Sequence, residues 1–474
     1  MVMASQSSSM SIHWRSKPSF TLSTVTFCLF TDLFLYSIVV PILPFLLRDR
    51  FSIPLDHVQP YTSGLITAYS GASVLFSIPS GWAADKIGSR KPPFLAGSLL
   101  LVVGTTMFAF GQSFAVLMIA RGLQGMAAAV VWSVGLAMIQ DTVGSRKMGQ
   151  AIGTIYSIVT AGELVAPVLG GMLYDAFGIN SVFDVAAGVL AIDLILRLLL
   201  VDSKAAAASQ KYSTHSNEFS RQEDTPRRPG SGQMEAHENS PLLPNTKHDQ
   251  HKIHGEVGSI IHAFPVLYCF REPRFLMALY LSIVQGCILS IFDATLPTEA
   301  AELFHFSSLK VGLLFTALLL PYIGLGPVAG MAMDKYGTKV VATSGFILLV
   351  PCLAMLGIPS QSFIPDDGKI GIFCVVLALN GFGLSITGPS SFVEASDICS
   401  KYEAANPGFF GENGPYAQLF GFTSMFLFSG MAIGPLLGGA LRESYGYGVM
   451  GLVFAALSSI TAVLSYVLVG GTEE

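Results

Sequence analysis

Charge is scarce in this chain. Only 12% of its 474 residues are Asp, Glu, Lys or Arg, against about a quarter in a soluble globular protein. With 51% hydrophobic residues and a mean hydropathy of +0.59, it cannot cover its apolar surface with charge. That excludes a soluble globular fold and places the chain in a bilayer. Histidine is missing from every long apolar stretch, although the chain has nine. A histidine proton relay at mid-membrane is therefore excluded, and any proton carried there needs a carboxylate. No Cys-x-x-Cys pair occurs among Cys28, Cys269, Cys287, Cys352, Cys374 and Cys399. Five of these lie in or beside apolar stretches and Cys399 falls in a predicted loop, so neither a disulfide framework nor a metal site is expected. No Asn-x-Ser/Thr sequon and no G-x-x-x-x-G-K-[ST] phosphate loop is present, which argues against N-glycosylation and ATP-driven chemistry. No nucleophile–base spacing suggests an enzyme, and no cofactor is expected. The net charge of −5 is spread over loops and marks no partner; no nucleic-acid binding is expected.

What the chain has is apolar length. A spanning helix needs about 20 apolar residues. Twelve stretches qualify, near 20–47, 62–84, 93–112, 114–139, 149–174, 181–201, 274–297, 309–333, 339–358, 369–396, 414–441 and 446–470. The first 19 residues are polar, and the apolar stretch after them is too long for a signal core, so the first helix is expected to stay as an anchor. Arg15, Lys17, Lys86, Arg90, Lys91, Arg146, Lys147, Lys335 and Lys339 all fall on one side if the spans number twelve. That side is expected to be cytosolic, with both termini there. Residues 202–256 are rich in Ser, Gln, His, Glu and Lys and read as a disordered linker. Residues 257–272 are less polar and are expected along the membrane surface. The organisation expected is a tail over 1–19, a six-helix half over 20–201, a cytosolic linker over 202–272, a second six-helix half over 273–470 and a tail over 471–474.

The halves repeat. GWAADKIGSRK at 81–91 is matched by GMAMDKYGTK at 330–339. Gly81, Asp85, Gly88 and Arg90 align with Gly330, Asp334, Gly337 and Lys339 at identical spacing, and Lys91 adds a second base to the first copy. GELVAPVLGG at 162–171 is matched by GMAIGPLLGG at 430–439. Two unrelated motifs, each present once per half in the same order, point to duplicated halves, an architecture of transporters with binding at the interface.

These residues carry a resemblance. GWAADKIGSRK resembles the helix 2–3 loop signature of the major facilitator superfamily, and ARGLQG at 120–125 resembles its helix 4 motif. The 162–171 stretch resembles the antiporter motif of its drug:proton branch, and the chain is similar to the vesicular amine transporter-like members. They share Asp32, nine residues before Pro41, and Asp293, which opens DATLP. The resemblance implies an all-α membrane protein of twelve spanning helices in two six-helix pseudo-repeats. It also implies proton-coupled antiport of a small organic molecule, for efflux or compartmental sequestration, powered by a proton gradient. A cationic or amphiphilic drug or secondary metabolite is the substrate class implied. Two positions depart from the amine transporters: their helix 2 lysine and helix 11 aspartate are Tyr69 and Ser424 here. Their helix 10 aspartate is also missing, around Thr387 and Gly388. A monoamine or acetylcholine substrate is therefore not expected.

Each motif has a physical reading. Asp85 can accept hydrogen bonds at a neighbouring helix N-terminus, where the helix dipole favours an anion. The resemblance makes that loop a latch that closes one access state. Lys339 in the second copy cannot give arginine's bidentate pairing. Gly162, Gly170, Gly171, Gly430, Gly434, Gly438 and Gly439 permit close helix approach. Pro167 and Pro435 each remove a helix hydrogen bond. Intramembrane charges are costly and mark functional sites by default. Asp32, Arg121, Glu163 and Asp293, in spans 1, 4, 5 and 7, form the candidate substrate and proton-coupling set. An Asp32–Arg121 pair with a structural role is the competing reading. Asp193 and Arg197 stand four apart and are expected to pair locally. Trp132, Tyr156, Tyr322 and Phe420 would suit a bulky, partly apolar ligand or simply pack. Glu238, Leu242 and Leu243 fit an acidic dileucine sorting signal, which leaves a plasma-membrane or a vacuolar or vesicular location open. The expected partners are a small-molecule substrate, protons and the lipid bilayer, and the protein is expected to be a monomer. A facilitated uniporter or symporter, or a non-transporting receptor or scaffold, remains open at this point.

Overall fold

The computed structural model describes residues 15, 17–39, 42–51, 55–87, 89–200, 251–253, 258–304, 306, 308–361, 365–411 and 414–470. Gly88, the dileucine-type stretch and the terminal residues 471–474 lie outside the described residues, as does most of the expected linker. Among the described residues, twelve long helices carry the fold. The first six are α1 (Pro18–Val39), α2 (Leu55–Lys86), α3 (Lys91–Phe110), α4 (Phe114–Val143), α5 (Met148–Phe177) and α6 (Ile179–Leu199). The second six are α7 (Pro273–Phe304), α8 (Ser308–Tyr336), α9 (Thr338–Ala354), α10 (Asp366–Thr387 and Ser390–Ala405), α11 (Tyr416–Tyr445) and α12 (Tyr447–Leu468). Among the described residues, ten helices are long and apolar enough to cross a membrane. The other two, α2 and α6, take their place by packing: α2 against α4 and α11, α6 against α1 and α3.

The packing repeats as the sequence does. In the first half α1 packs on α5, α2 on α4 and α3 on α6. In the second half α7 packs on α11, α8 on α10 and α9 on α12. The halves meet along two seams, α2 on α11 and α5 on α8. Helix ends differ from expectation in two places. The span expected over 20–47 is a helix to Val39 followed by a short one, Leu43–Phe51. Cys399, expected in a loop, is buried inside α10, which runs on to Ala405. All six cysteines are free.

Asp193 and Arg197 pair within α6 at 2.9 Å, fully buried. Ser98 donates to Asp193 at 3.2 Å and Arg197 donates to the Phe94 carbonyl at 2.9 Å, so the pair ties α6 to α3. Removing one member strands a buried charge, at a cost of about 3–5 kcal/mol. Asp193→Leu is expected to lower the melting temperature in detergent sharply. The double variant Asp193→Leu/Arg197→Leu should recover part of the loss.

Residues 258–271 form a strap over the end of the bundle that carries the latches. It comprises a short helix, Ser259–Ala263, and a 3-10 segment, Pro265–Arg271. Tyr268 meets Tyr402 of α10 edge-on at 5.7 Å, and Phe270 meets Phe422 of α11 at 5.2 Å. From this seat on the second half, Phe264 reaches across to stack on Trp82 of α2 at 6.0 Å. An aromatic pair is worth about 0.5–1.5 kcal/mol. Phe264→Ala is therefore expected to raise maleimide labelling of a cysteine placed at Ser396, inside the closed end, by about 2–10-fold.

Candidate functional site

Two layers matter: a seal at one end of the bundle and a polar, aromatic cluster midway along it. The seal is built by the repeated loop motif acting across the seams. The Asp85 carboxylate, at the end of α2, accepts from the backbone N–H groups of Ala417 (3.1 Å) and Gln418 (2.8 Å) at the start of α11. Asp334, at the end of α8, accepts from Gly149 and Gln150 at the start of α5, both at 2.8 Å. Each aspartate thus supplies a cap to orphan N–H groups of the opposite half, where the helix dipole also favours it. Arg90 pairs with Asp85 and, at 3.3 Å, with Asp141 of α4. The second copy lacks that fork: Lys339 lies over the Tyr466 ring at 4.8 Å instead. Lys91 donates to the Leu198 carbonyl at the end of α6. Gly337 turns the chain out of α8 with φ +83°, a conformation that favours glycine.

Backbones touch at this end. A Cβ on Gly81 would collide with the Ala417 carbonyl, and one on Gly330 with the Gly149 carbonyl. Gly421, Gly153 and Gly326 are equally confined, against Ser77, Gly326 and Gly153. Ser396 of α10 donates to Gln140 of α4 at 2.7 Å, a buried tie between the halves. Sequence reasoning missed these three glycines, Gln140 and Ser396. Only the seams reveal them, because none stands in a repeated motif.

The glycine–proline motif serves a different contact. Gly170 presses on the Ile38 carbonyl of α1 and Gly162 on the Phe30 ring. Gly430 presses on the Ile283 carbonyl of α7, Gly434 on Cys287 and Gly438 on Ile291. Pro167 and Pro435 lie within α5 and α11. The motif therefore binds α1 to α5 and α7 to α11, inside each half. Gly171 and Gly439 face open space.

The cluster centres on Asp32, roughly 20 Å along α1 at 1.5 Å per residue. Its side chain is buried, and Oδ2 accepts from the Tyr69 hydroxyl (3.1 Å) and the Trp132 indole (3.3 Å). Oδ1 has no partner. No described lysine or arginine forms an ion pair with it. Trp132 sits in a π turn, Val131–Gly135, that interrupts α4; such turns recur at functional sites. Gly125, from ARGLQG, lets α4 lie against the Tyr69 backbone of α2. Tyr69 is thus a neutral donor to Asp32.

Arg121 is not Asp32's partner. Its guanidinium donates to Gln124 at 3.2 Å and stacks between Tyr36 (5.6 Å) and Phe108 (5.0 Å). Tyr36 in turn packs on Tyr69 at 4.7 Å. Glu163 of α5 and Asp293 of α7 lie close enough to repel as carboxylates, and both are within electrostatic reach of Tyr36. Glu163 is half-buried and Asp293 exposed. The expected set therefore splits into two residues that are buried but not paired with each other, Asp32 and Arg121, and two more accessible acids, Glu163 and Asp293. Asp293 lies well inside α7, which continues to Phe304. Aromatic rings link the two halves: Trp132 to Tyr156 (5.9 Å) and Phe428 (6.3 Å), Tyr156 to Phe392 (6.1 Å), and Phe392 to Phe420 (6.1 Å). Three of the four aromatics singled out in the sequence, Trp132, Tyr156 and Phe420, share this chain. No cluster of metal-ligand type occurs among the described residues.

This arrangement has known counterparts. The chain is 51% identical over 466 residues to an MFS-type transporter, ppzB, of Metarhizium rileyi, covering 97% of this chain and 96% of that one. It is 32% identical over 212 residues to the vesicular acetylcholine transporter of Drosophila melanogaster, covering 40% of this chain and 36% of that one. The fold matches the proton:xylose symporter XylE with a TM-score of 0.70 at 11% identity, covering 97% of each chain. It matches the human organic anion transporter MFSD10 (TETRAN) with a TM-score of 0.66 at 16% identity, covering 95% of this chain and 99% of that one. The family model of the Major Facilitator Superfamily matches residues 25–406 and 278–474. Twelve helices in two repeated halves, sealed at their seams by a duplicated aspartate motif, thus make this chain a member of the major facilitator superfamily, a membrane transporter rather than an enzyme.

Proposed function

We propose that the protein is a proton-coupled antiporter of a small organic cation or amphiphile, such as a drug or secondary metabolite. The observation that carries the reading is Asp32: a buried carboxylate with one free oxygen, neutral donors on the other, and rings around it. Such a group has two stable uses. Protonated, it is neutral and tolerates a dry interior. Ionised, it needs a cation, and a substrate ammonium among Trp132, Tyr69 and Tyr36 supplies one, aided by cation–π attraction. Proton and substrate then compete for one carboxylate, which is the physical core of antiport. The partial likeness to vesicular acetylcholine transporters, whose namesake is a small organic cation, favours a cationic substrate. Tyr69 and Ser424 in place of the lysine and aspartate argue against acetylcholine itself.

Alternating access follows from the seams. The latch end faces the cytosol in this reading, as its basic loops require. Breaking the Asp85 and Asp334 caps frees the halves to rock and opens the Asp32 cluster to that side. Glu163 and Asp293 stand on opposite halves, so their mutual repulsion changes as the halves move. They form the second proton-accepting position. No cofactor is needed, since a proton moving down one pH unit supplies about 1.4 kcal/mol.

The test uses purified protein in liposomes with an internal pH-sensitive dye. Gradients of organic cations and neutral metabolites are imposed in turn. Proton movement that depends on an organic cation is the expected result. Substrate flux without proton movement would replace antiport by uniport.

A further inference from the structure

A second polar cluster lies beside the Asp32 subsite. The Gln285 side chain of α7 is 3% exposed, and neither its amide nitrogen nor its amide oxygen has a hydrogen-bond partner. The Tyr156 hydroxyl of α5 and the Tyr322 hydroxyl of α8 are also buried and unpartnered. The Gln285 amide reaches toward both hydroxyls without meeting hydrogen-bond geometry to either. A Cβ on Gly388 of α10 would touch the Tyr322 hydroxyl at 2.5 Å, so the α10 break leaves that hydroxyl its space. Four unsatisfied polar atoms therefore converge from both halves of the protein.

Structural convenience does not explain the cluster. An unmade hydrogen bond on a buried polar group is a standing cost, and apolar side chains of the same shape would avoid it. The donor set is also specific. A carboxamide offers two donors and two acceptor sites in one plane, and each tyrosine adds one donor and one acceptor. The best complement is a planar group with an N–H and a C=O side by side. The cluster connects to the acid through rings: Asp32 to the Trp132 indole at 3.3 Å, then Trp132 to Tyr156 at 5.9 Å.

We propose that Gln285, Tyr156 and Tyr322 form an amide-recognising subsite, so that the substrate is an aliphatic amine that also carries an aromatic ring and a carboxamide or lactam. The proposal rests on the cationic reading of Asp32. The ammonium meets Asp32 on the first half, the amide bridges α5 to α7 and α8 across the interface, and the ring packs among the aromatic side chains beside it. A ligand held by both halves also senses their relative position, which ties occupancy of the subsite to rocking.

A matched pair of probes tests this. Procainamide and procaine differ only in an amide N–H replaced by an ester oxygen. Their dissociation constants are measured on the purified full-length protein by scintillation proximity. Wild type is expected to bind procainamide at least about tenfold more tightly, because the ester leaves an acceptor of the site unpaired. In Gln285→Leu the ratio is expected to fall close to one, with smaller reductions in Tyr156→Phe and Tyr322→Phe. Asp32→Asn should weaken both probes alike and preserve the ratio. Equal affinities in wild type would overturn the amide subsite and leave the cation reading standing. A ratio unchanged in Gln285→Leu would also overturn it. Failure of both probes to bind wild type at millimolar concentration would overturn the cation reading together with the subsite that rests on it.

Discussion

Asp32→Asn is expected to abolish substrate-driven proton movement while leaving the protein folded. Asparagine keeps the size of the side chain, and its oxygen can still accept from Tyr69 and Trp132, which now hold Oδ2 at 3.1 and 3.3 Å. What it loses is the ability to alternate between neutral and anionic states. In wild type one proton exchanged for one monovalent cation moves no net charge, so the pH gradient drives the cycle, and each pH unit, about 1.4 kcal/mol, supports roughly tenfold accumulation. The variant should show none, and any remaining flux should run only down the substrate gradient. The measurement is dye-reported proton flux and radiolabel accumulation in matched liposomes. A variant that still accumulates substrate at the expense of the proton gradient would make Asp32 structural. Glu163 and Asp293 would then carry the proton.

Gly330→Val should be comparably severe by a different route. The first atom of any side chain at position 330 collides with the Gly149 carbonyl of the other half. Backbone cannot yield as a flexible side chain can, so the α5–α8 seam must part. The Asp334 caps on Gly149 and Gln150, both 2.8 Å, then break with it. Transport is expected to fall to background. Labelling from the latch end of a cysteine at Ser396, now buried against Gln140, should rise about tenfold or more. Gly171→Ala is the control, since nothing lies within 4 Å of that position. Normal transport in Gly330→Val would mean the seam opens without cost, and the latch reading would fail. Gly81→Val, facing the Ala417 carbonyl across the α2–α11 seam, should behave like Gly330→Val.

The sequence by itself determined the membrane class, the twelve-helix count and the duplication. Each rests on local quantities: apolar run length, the scarcity of charge, and motifs recurring at fixed spacing. It also flagged Asp32, because a lone acid in an apolar stretch is costly wherever the helix lies. The Asp193–Arg197 pair was legible for the same reason, since a spacing of four puts both on one helix face.

Partnership across helices was decided only in the tertiary structure. Asp32 and Arg121 were candidates for one another by charge, yet Arg121 spends its charge on Gln124 and two rings. Asp32 takes Tyr69 and Trp132, contributed by α2 and by a π turn in α4 that no periodicity announces. Gln285, Gln140, Ser396 and the Phe264–Trp82 stack were invisible in the sequence because each acquires meaning from a residue far away in the chain. Glycine was readable only in part: Gly330 and Gly171 both stand in motifs, but one meets a carbonyl and the other open space. A sequence records which residues can approach closely. Which of them do is set by how two rigid halves pack, and that is a property of the whole bundle.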